Sequence, residues 1–475
     1  MTPQLTALVA YSAVLVGLGA WIGRRVSNTQ GFFVSDRNLG PGLLAATLLA
    51  ANIGASATVG ATGLAYRFGA AAWWWTGSAG IGSLLLAFFV GPRIWRAAKQ
   101  NNLLTVGDFL EFHYGPRVRT LSALVIWLGG YVILCGQIRG AGEVLAAAGR
   151  ITLFSGCVLA AMVMAAYFVT GGLRSAASVN VVQLAVKLIG FAIATPVALA
   201  AVGGLEHAIA SHPSASLFWT SPRAEAGWPA LFLLAPAFLI SPGILQKVYG
   251  ARDERTVRVG VGMNAVGLLL FAALPVLCGF AARSMFPTLE RAEQALPRLM
   301  SEGLPLWLGG LALAAVFSAE MSAGDAVLFM LSTSGARDLY RGVINPAATD
   351  RQVLTVARIL AVLATLVGLW LTTKWSSVID ALGLFYSLLG ASLTAPILGA
   401  IYFTPGVISA KRLPVSFSRA AMASIVVGVG TTLITWSLDV RVGWMSPAFF
   451  GLAANLLTYL GVGLVSGRTH TPRRK

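Results

Sequence analysis

Apolar runs long enough to cross a lipid bilayer recur along almost the whole sequence. A transmembrane helix needs about 20 mostly apolar residues, and about 13 stretches of roughly that length are present. They cover residues 4–22, 41–66, 70–95, 119–148, 151–170, 175–203, 228–249, 257–284, 305–334, 353–373, 376–403, 419–437 and 446–467. With 57% hydrophobic and only 11% charged residues, the 475-residue chain is unsuited to water. The sequence predicts one all-α polytopic domain over residues 1–475, and excludes a secreted disulfide scaffold, a disordered regulator and a soluble nucleic-acid binder.

The basic residues lie mainly in short segments between the apolar runs, and their distribution predicts the orientation. Lys and Arg outnumber Asp and Glu by 34 to 17, which gives a formal net charge of +17. With the N-terminus outside, 24 basic residues, Lys247 among them, fall on the inner side and 8 on the outer side. Since cytoplasmic loops are enriched in Lys and Arg, we expect a plasma-membrane protein with a cytoplasmic C-terminus. The bilayer is its expected surroundings, and neither nucleic acid nor an obligate protein partner is indicated.

The first apolar run and the Cys, His and Trp residues indicate no further functional group. No basic residue precedes the run at 4–22, and Arg24 and Arg25 follow it, so we expect a retained leading helix and not a cleaved signal peptide. The three Cys and four His have no metal-ligand spacing. No disulfide, metal centre or organic cofactor is therefore predicted. Trp73, Trp74 and Trp75 follow a predicted outer end and are interpreted as part of an interfacial aromatic belt.

Two of the apolar runs contain residues that interrupt a helix. Asn52, Gly54 and Ser56 lie in the middle of 41–66, and Ser241-Pro242-Gly243 follows Pro236 in 228–249. Pro removes a backbone donor and Gly has a low helix propensity, so both runs are expected to unwind there. Transporters use such breaks to bind ions and substrates. The alternative is that Gly and Pro are simply common in membrane helices and serve close packing.

The two interrupted runs cross the membrane in opposite directions, because they are five runs apart. This spacing predicts two inverted repeats of five helices each, over residues 41–203 and 228–404. The helix at 4–22 precedes them, and two trailing helices at 419–467 follow.

Four ordered motifs carry a resemblance to a known family. They are Gly31-Phe-Phe-Val-Ser-Asp-Arg-Asn-Leu-Gly40, Thr105-Val-Gly-Asp-Phe-Leu-Glu-Phe-His-Tyr-Gly115, Gly171-Gly-Leu-Arg-Ser-Ala-Ala-Ser-Val-Asn-Val-Val-Gln183, and Met321-Ser-Ala-Gly-Asp325 leading to Arg337-Asp-Leu-Tyr340. In these segments the chain resembles the sodium:solute symporter family over nearly its whole core. The resemblance implies a fold like that of the leucine transporter and secondary uptake of a solute driven by sodium, and no enzymatic activity.

The resemblance also implies a sodium site between the first and eighth core helices. By motif matching, its ligands would be the carbonyl groups of Ala50, Ile53 and Ala319 and the hydroxyl of Ser322. Oxygen ligands suit a hard cation. The sequence departs from the family at Ala323, where a hydroxyl is usual, and at Asn180, where many members have Asp. The alternative for Ser322 is a small residue that packs or bonds within its own helix.

Several other polar residues within the runs are candidates for ion coupling. Asn180, Gln183 and Lys187 have the spacing of one helix stripe, which in the family passes near the sodium position. The ammonium of Lys187 is predicted either to replace the cation, giving proton-coupled or sodium-independent transport, or to form a fixed pair with Glu320 or Asp325. Asp325 matches the usual acid of the family motif. Glu320 lies about 200° around the helix from Ser322 and is expected to point at another neighbour, in a structural ion pair.

The substrate is expected beside the interrupted helices. The candidate residues are Asn52, Ser56, Ala57, Phe238, Ser241, Phe385, Tyr386 and Ser387. Ala57 stands where sugar-transporting relatives have a side-chain amide, which favours a compact organic acid or amino acid over a hexose. The aromatic residues are equally compatible with core packing. A transporter-like solute sensor remains a remote alternative, whereas a membrane hydrolase and an ion channel lack the required polar residues.

Overall fold

The computed structural model describes residues 2–23, 34, 37–169, 173–212, 219, 226–375, 377–402, 413 and 415–468. Within these ranges the chain is a bundle of helices. In chain order they are α1 (Pro3–Gly23), α2 (Pro41–Asn52), α3 (Ala61–Phe68), α4 (Trp73–Leu85), α5 (Gly91–Gln100), α6 (Val106–Tyr114), α7 (Pro116–Gly149), α8 (Leu153–Val169), α9 (Leu173–Ala201), α10 (Leu205–Ala210), α11 (Ala230–Ile240), α12 (Pro242–Tyr249), α13 (Glu254–Phe271), α14 (Ala273–Met285), α15 (Ala295–Glu302), α16 (Leu306–Thr333), α17 (Asp350–Thr372), α18 (Val378–Tyr402), α19 (Val415–Ser437) and α20 (Pro447–Arg468).

The all-α membrane architecture predicted from the apolar runs is confirmed. In the described ranges, nine continuous helical stretches are long and apolar enough to span a membrane. Four shorter apolar helices accompany them, within α1, α2, α8 and α20. The number of 13 spans and the limits of the two repeats stay predictions.

Both helix interruptions lie where Gly and Pro predicted them. Helix α2 ends at Asn52, and Ile53 has the non-helical angles φ −90° and ψ 86°. The chain resumes with a π-helical turn, Ser56–Gly60, that leads into α3. Helix α11 ends at Ile240, Ser241 is extended with φ −53° and ψ 124°, and Pro242 begins α12. Pro242 lacks an N–H and suits the first turn of a new helix.

The two broken helices lie in the middle of the bundle. Helix α2 packs against α9, α13 and α16, and α16 also packs against α7 and α9. Helix α18 contacts both α7 and α11. The pair α19 and α20 pack mainly on each other and on α18. The unwound segment after α2 is thus enclosed by helices on several sides, where its free backbone groups need partners from other elements.

The interfacial interpretation of the tryptophans is wrong for Trp74 and Trp75. Their exposed fractions are 9% and 1%, and the ring of Trp75 lies 6.4 Å from that of Tyr386 in an edge-on arrangement. The sequence pattern misled because the start of α4 faces other helices, not the lipid headgroups. Trp75 therefore belongs to the packing around the centre of the bundle.

Candidate cation and solute sites

The ammonium group of Lys187 lies among the oxygens that the resemblance implied for a sodium ion. Its Nζ donates to the carbonyl oxygens of Ala50 at 2.8 Å and Ile53 at 3.1 Å, and to Ser322 Oγ at 2.7 Å. The side chain of Lys187 is completely buried. All three hydrogens of an ammonium group can donate, so each has an acceptor here. A buried charge is thereby stabilised by hydrogen bonds.

The local fold explains why these oxygens are available. Ala50 and Ile53 lie at the C-terminal end of α2, where the carbonyl groups have lost their intrahelical partners because the helix stops. The negative end of the helix dipole also points at Lys187. Ser322 Oγ on α16 lies 2.7 Å from the carbonyl oxygen of Ala50 and 3.1 Å from that of Ala319, and its one hydrogen can be donated to either. All four residues of the implied sodium site are therefore close together, and Lys187 bonds to three of them.

Ala323, which lacks the usual hydroxyl, lies against the unwound segment. A Cβ added at Gly54 would collide with Ala323 Cβ and lie 2.9 Å from Gln137 Oε1. Gln137 Oε1 accepts a hydrogen bond of 3.0 Å from the Ala55 N–H. The unwound segment is thus held close to both α16 and α7, and a glycine is required at the point of closest approach.

The acidic candidates do not form ion pairs with Lys187. Glu320 Oε1 accepts a hydrogen bond of 2.7 Å from the Thr58 hydroxyl, and both residues are completely buried. Among the described residues, neither Glu320 nor Asp325 has a basic partner within 4.0 Å. A fixed pair of Lys187 with either acid, and a structural ion pair for Glu320, are therefore absent from this part of the chain.

The polar stripe of α9 is buried as a unit. Asn180 and Gln183 are at most 1% exposed, and Asn180 Nδ2 donates to Thr47 Oγ1 at 3.1 Å. Among the described residues, no side chain bonds to the amide of Gln183. The stripe faces α2 and α16 as its spacing predicted. Thr47 is a neighbour that the sequence reasoning missed.

A central cavity lies beside the two breaks. Its described wall contains six of the eight predicted substrate residues, namely Asn52, Ser56, Phe238, Ser241, Phe385 and Tyr386. Ala57 is buried but does not line the cavity, and Ser387 lines a separate small pocket and donates to the carbonyl oxygen of Gly383 at 2.7 Å. Ala57 follows Ser56 by one position, which turns its side chain away from the cavity. Ser387 faces α19 and α20.

Two polar residues of the wall were not predicted, Gln137 and Lys247. Gln137 could have been found as an amide within the apolar run 119–148. Lys247 was counted as a residue of the inner side, but it lies in α12 and is only 4% exposed. Its position inside the apolar run 228–249 was the signal that could have shown it to be an inward-facing residue. The charge count then becomes 23 inner residues against 8, which leaves the predicted orientation unchanged.

Comparison with known proteins agrees with this architecture. A solved sodium-coupled sialic acid symporter, in a substrate-bound outward-open state, is 17% identical and superimposes with a TM-score of 0.78, over 99% of this chain and 98% of that one. At 17% identity this likeness concerns the fold. It supports an arrangement of helices shared with transporters.

The sequence comparisons identify the family. The model of the sodium:solute symporter family matches residues 32–405, and the chain belongs to that family of transporters and is not an enzyme. The sodium/pantothenate symporter of Haemophilus influenzae is 24% identical over 93% of this chain and 92% of its own length. That of Escherichia coli (strain K12) is 27% identical over 78% of each chain.

Proposed function

We propose that this protein takes up a small polar solute by alternating access through the central cavity, and that the ammonium group of Lys187 takes the place of the coupling sodium ion. The observation that carries the proposal is the set of three hydrogen bonds, 2.7–3.1 Å long, from Lys187 Nζ to Ala50, Ile53 and Ser322. An ammonium group and a sodium ion are both monovalent cations that bind oxygen ligands. The same oxygens cannot bind both at once.

A cation attached to the chain differs from a free ion in its consequence for transport. It balances the partial charges at the end of α2, but it cannot cross the membrane with the solute. Uptake is then not obliged to follow the sodium gradient. Ala323, without a hydroxyl, and Asn180, without a negative charge, both weaken the site for a free sodium ion and agree with this proposal.

Sodium coupling is the second candidate, and the family favours it. The similar symporters named above are sodium-coupled, and Ala50, Ile53, Ala319 and Ser322 provide oxygens for sodium whenever Lys187 withdraws. In this mode sodium and the Lys187 ammonium compete for one set of ligands. A coupling ion would therefore have to displace a side chain before it binds.

Uptake into proteoliposomes with imposed ion gradients distinguishes the two modes. The probes are radiolabelled pantothenate and a panel of small acids, amino acids and sugars, with sodium replaced by choline over a range of pH. We expect wild-type uptake to persist without sodium, and Lys187→Met to abolish sodium-free uptake because the carbonyl oxygens lose their cation. An imposed pH gradient shows whether a proton replaces sodium.

The control for this experiment is Lys374→Met, since Lys374 is an exposed lysine between α17 and α18. It should leave uptake unchanged. Strict sodium dependence of the wild type, retained in Lys187→Met, would contradict the Lys187 proposal and leave sodium symport. Binding of a solute without any uptake would instead favour a sensor.

We place this polytopic protein in the plasma membrane, with the N-terminus outside and the C-terminus in the cytoplasm. The excess of basic residues on the inner side supports this orientation. Solute would then enter from the side of α10 and leave toward the side of α6.

A further inference from the structure

Lys247 brings a buried positive charge to the wall of the central cavity. It lies near the end of α12, just after the break at Ser241-Pro242, and its exposed fraction is 4%. Among the described residues of the cavity wall it is the only charged side chain. The cavity therefore has a positively charged wall and, in this part of the chain, no acidic group that faces the solute.

Among the residues that the structure describes, Lys247 has too few acceptors to pair its ammonium group completely. Its Nζ donates to the carbonyl oxygen of Thr47 at 3.2 Å, which uses one of three donors. Asp325 interacts with it electrostatically, but this acid lies beyond 4.0 Å and does not line the cavity. Lys187, by contrast, has an acceptor for each donor. A buried ammonium with free donors is costly unless a ligand completes its pairing.

The other polar groups of the described wall are neutral, and they include both a free hydrogen-bond acceptor and a free donor. Asn52 Nδ2 donates to Asn264 Oδ1 at 3.1 Å, which leaves the Asn52 amide oxygen as an acceptor. Gln137 accepts from the Ala55 N–H, which leaves its amide NH₂ as a donor. Phe238 and Phe385 supply apolar surface. Such a wall suits a small skeleton with hydroxyl, keto or amide groups.

From this geometry we infer that the solute is a small carboxylate whose other polar groups are neutral, and that Lys247 binds its carboxylate. The inference rests on the proposed function, since it assigns the solute of the same cavity. It explains why Lys247 is buried although no carboxylate of the described residues lies within 4.0 Å of its ammonium group. It also predicts that a neutral analogue of the same shape binds poorly, because it would leave the ammonium unpaired.

Binding to the purified full-length protein tests the inference directly. The probes are matched pairs that differ in charge, pantothenate with panthenol and lactate with lactamide, supplied without sodium. The readout is the shift in unfolding temperature, followed by tryptophan fluorescence in detergent. We expect stabilisation by at least one carboxylate and at least a tenfold weaker effect of its neutral partner. Lys247→Met should lose this preference, Lys247→Arg should keep it, and Lys374→Met should behave as wild type.

The outcomes separate this inference from the transport proposal. Stabilisation by neutral and anionic partners alike, no stabilisation by any carboxylate, or an unchanged preference in Lys247→Met would overturn the role of Lys247. Should Lys247→Met fail to fold, the charge preference of the wild type and of Lys247→Arg still decides the matter. A carboxylate that binds through Lys247 but never enters proteoliposomes would overturn transport and leave the binding site intact.

Discussion

Gly54 is the residue at which the unwound segment, α7 and α16 come closest. Its missing side chain lets Ala323 and Gln137 approach the backbone, and this approach holds the oxygen of Ile53 near Lys187. Protein interiors tolerate little extra volume, and an inserted methyl group forces neighbours to shift. The geometry of the cation site thus depends on the absence of one carbon atom.

The substitution Gly54→Ala should destabilise the protein by roughly 1–3 kcal/mol, because the new Cβ would collide with Ala323 Cβ. The measurement is thermal unfolding in detergent together with uptake. Gly262→Ala in α13 is a suitable control, since a Cβ there meets nothing within 4 Å. Ala323→Gly should partly restore the Gly54→Ala variant. A Gly54→Ala protein as stable and active as the wild type would show that the close approach is dispensable.

A charge cluster ties the ends of three helical segments together. Asp108 in α6 bonds to Arg337 at 2.9 Å, and Arg119 in α7 lies 3.3 Å from Asp338. Thr105 caps α6 and donates to Asp338 Oδ1 at 2.7 Å. Arg337 and Asp338 belong to the π-helical segment Ser334–Ile344 that continues α16. The cluster therefore fixes the far end of the helix that carries Ser322.

Replacing the buried Asp338 by Asn should lower stability by roughly 1–3 kcal/mol, because the partly buried Arg119 loses one of its charged partners while the size of the side chain is kept. Chemical or thermal unfolding in detergent measures the loss. Glu302→Gln is the matched control, since Glu302 forms only an exposed pair with Arg298 at 3.5 Å and should change stability by less than about 1 kcal/mol. Equal stability of the two variants would argue against a structural role for the cluster.

The two ends of the protein define its orientation in the membrane. The basic residues predict that α10 lies outside and that the C-terminal tail lies in the cytoplasm. Single cysteines at Glu206 and Arg473, in a background where Cys135, Cys157 and Cys278 are replaced by Ala, should react oppositely with an impermeant maleimide. We expect Glu206→Cys to react on intact cells and Arg473→Cys only after permeabilisation. Labelling from the reverse sides would refute the orientation.

Some parts of this fold could be read from the sequence because a single residue decides them. Pro242 cannot continue a helix and Gly54 has a low helix propensity, so both breaks were predictable. Lys187 was predictable as an inward residue because Asn180 and Gln183 share its stripe. Its acceptors Ala50 and Ile53 followed only from the family resemblance, since backbone oxygens more than 130 residues away carry no signature of their own. Lys247 was missed because a lysine near a helix end usually extends to the membrane surface.

The placement of Lys187 also bears on how the chain is built into the membrane. A lysine at the centre of an isolated span opposes insertion by about 3 kcal/mol, so α9 enters the bilayer against a penalty that its apolar residues must outweigh. Helix α2 is synthesised before α9, and its carbonyl oxygens at Ala50 and Ile53 are available as the lysine arrives. Ser322 belongs to α16, which is made later. Two of the three acceptors of the ammonium group are therefore synthesised before the lysine, and the third exists only when the second half of the protein has been made.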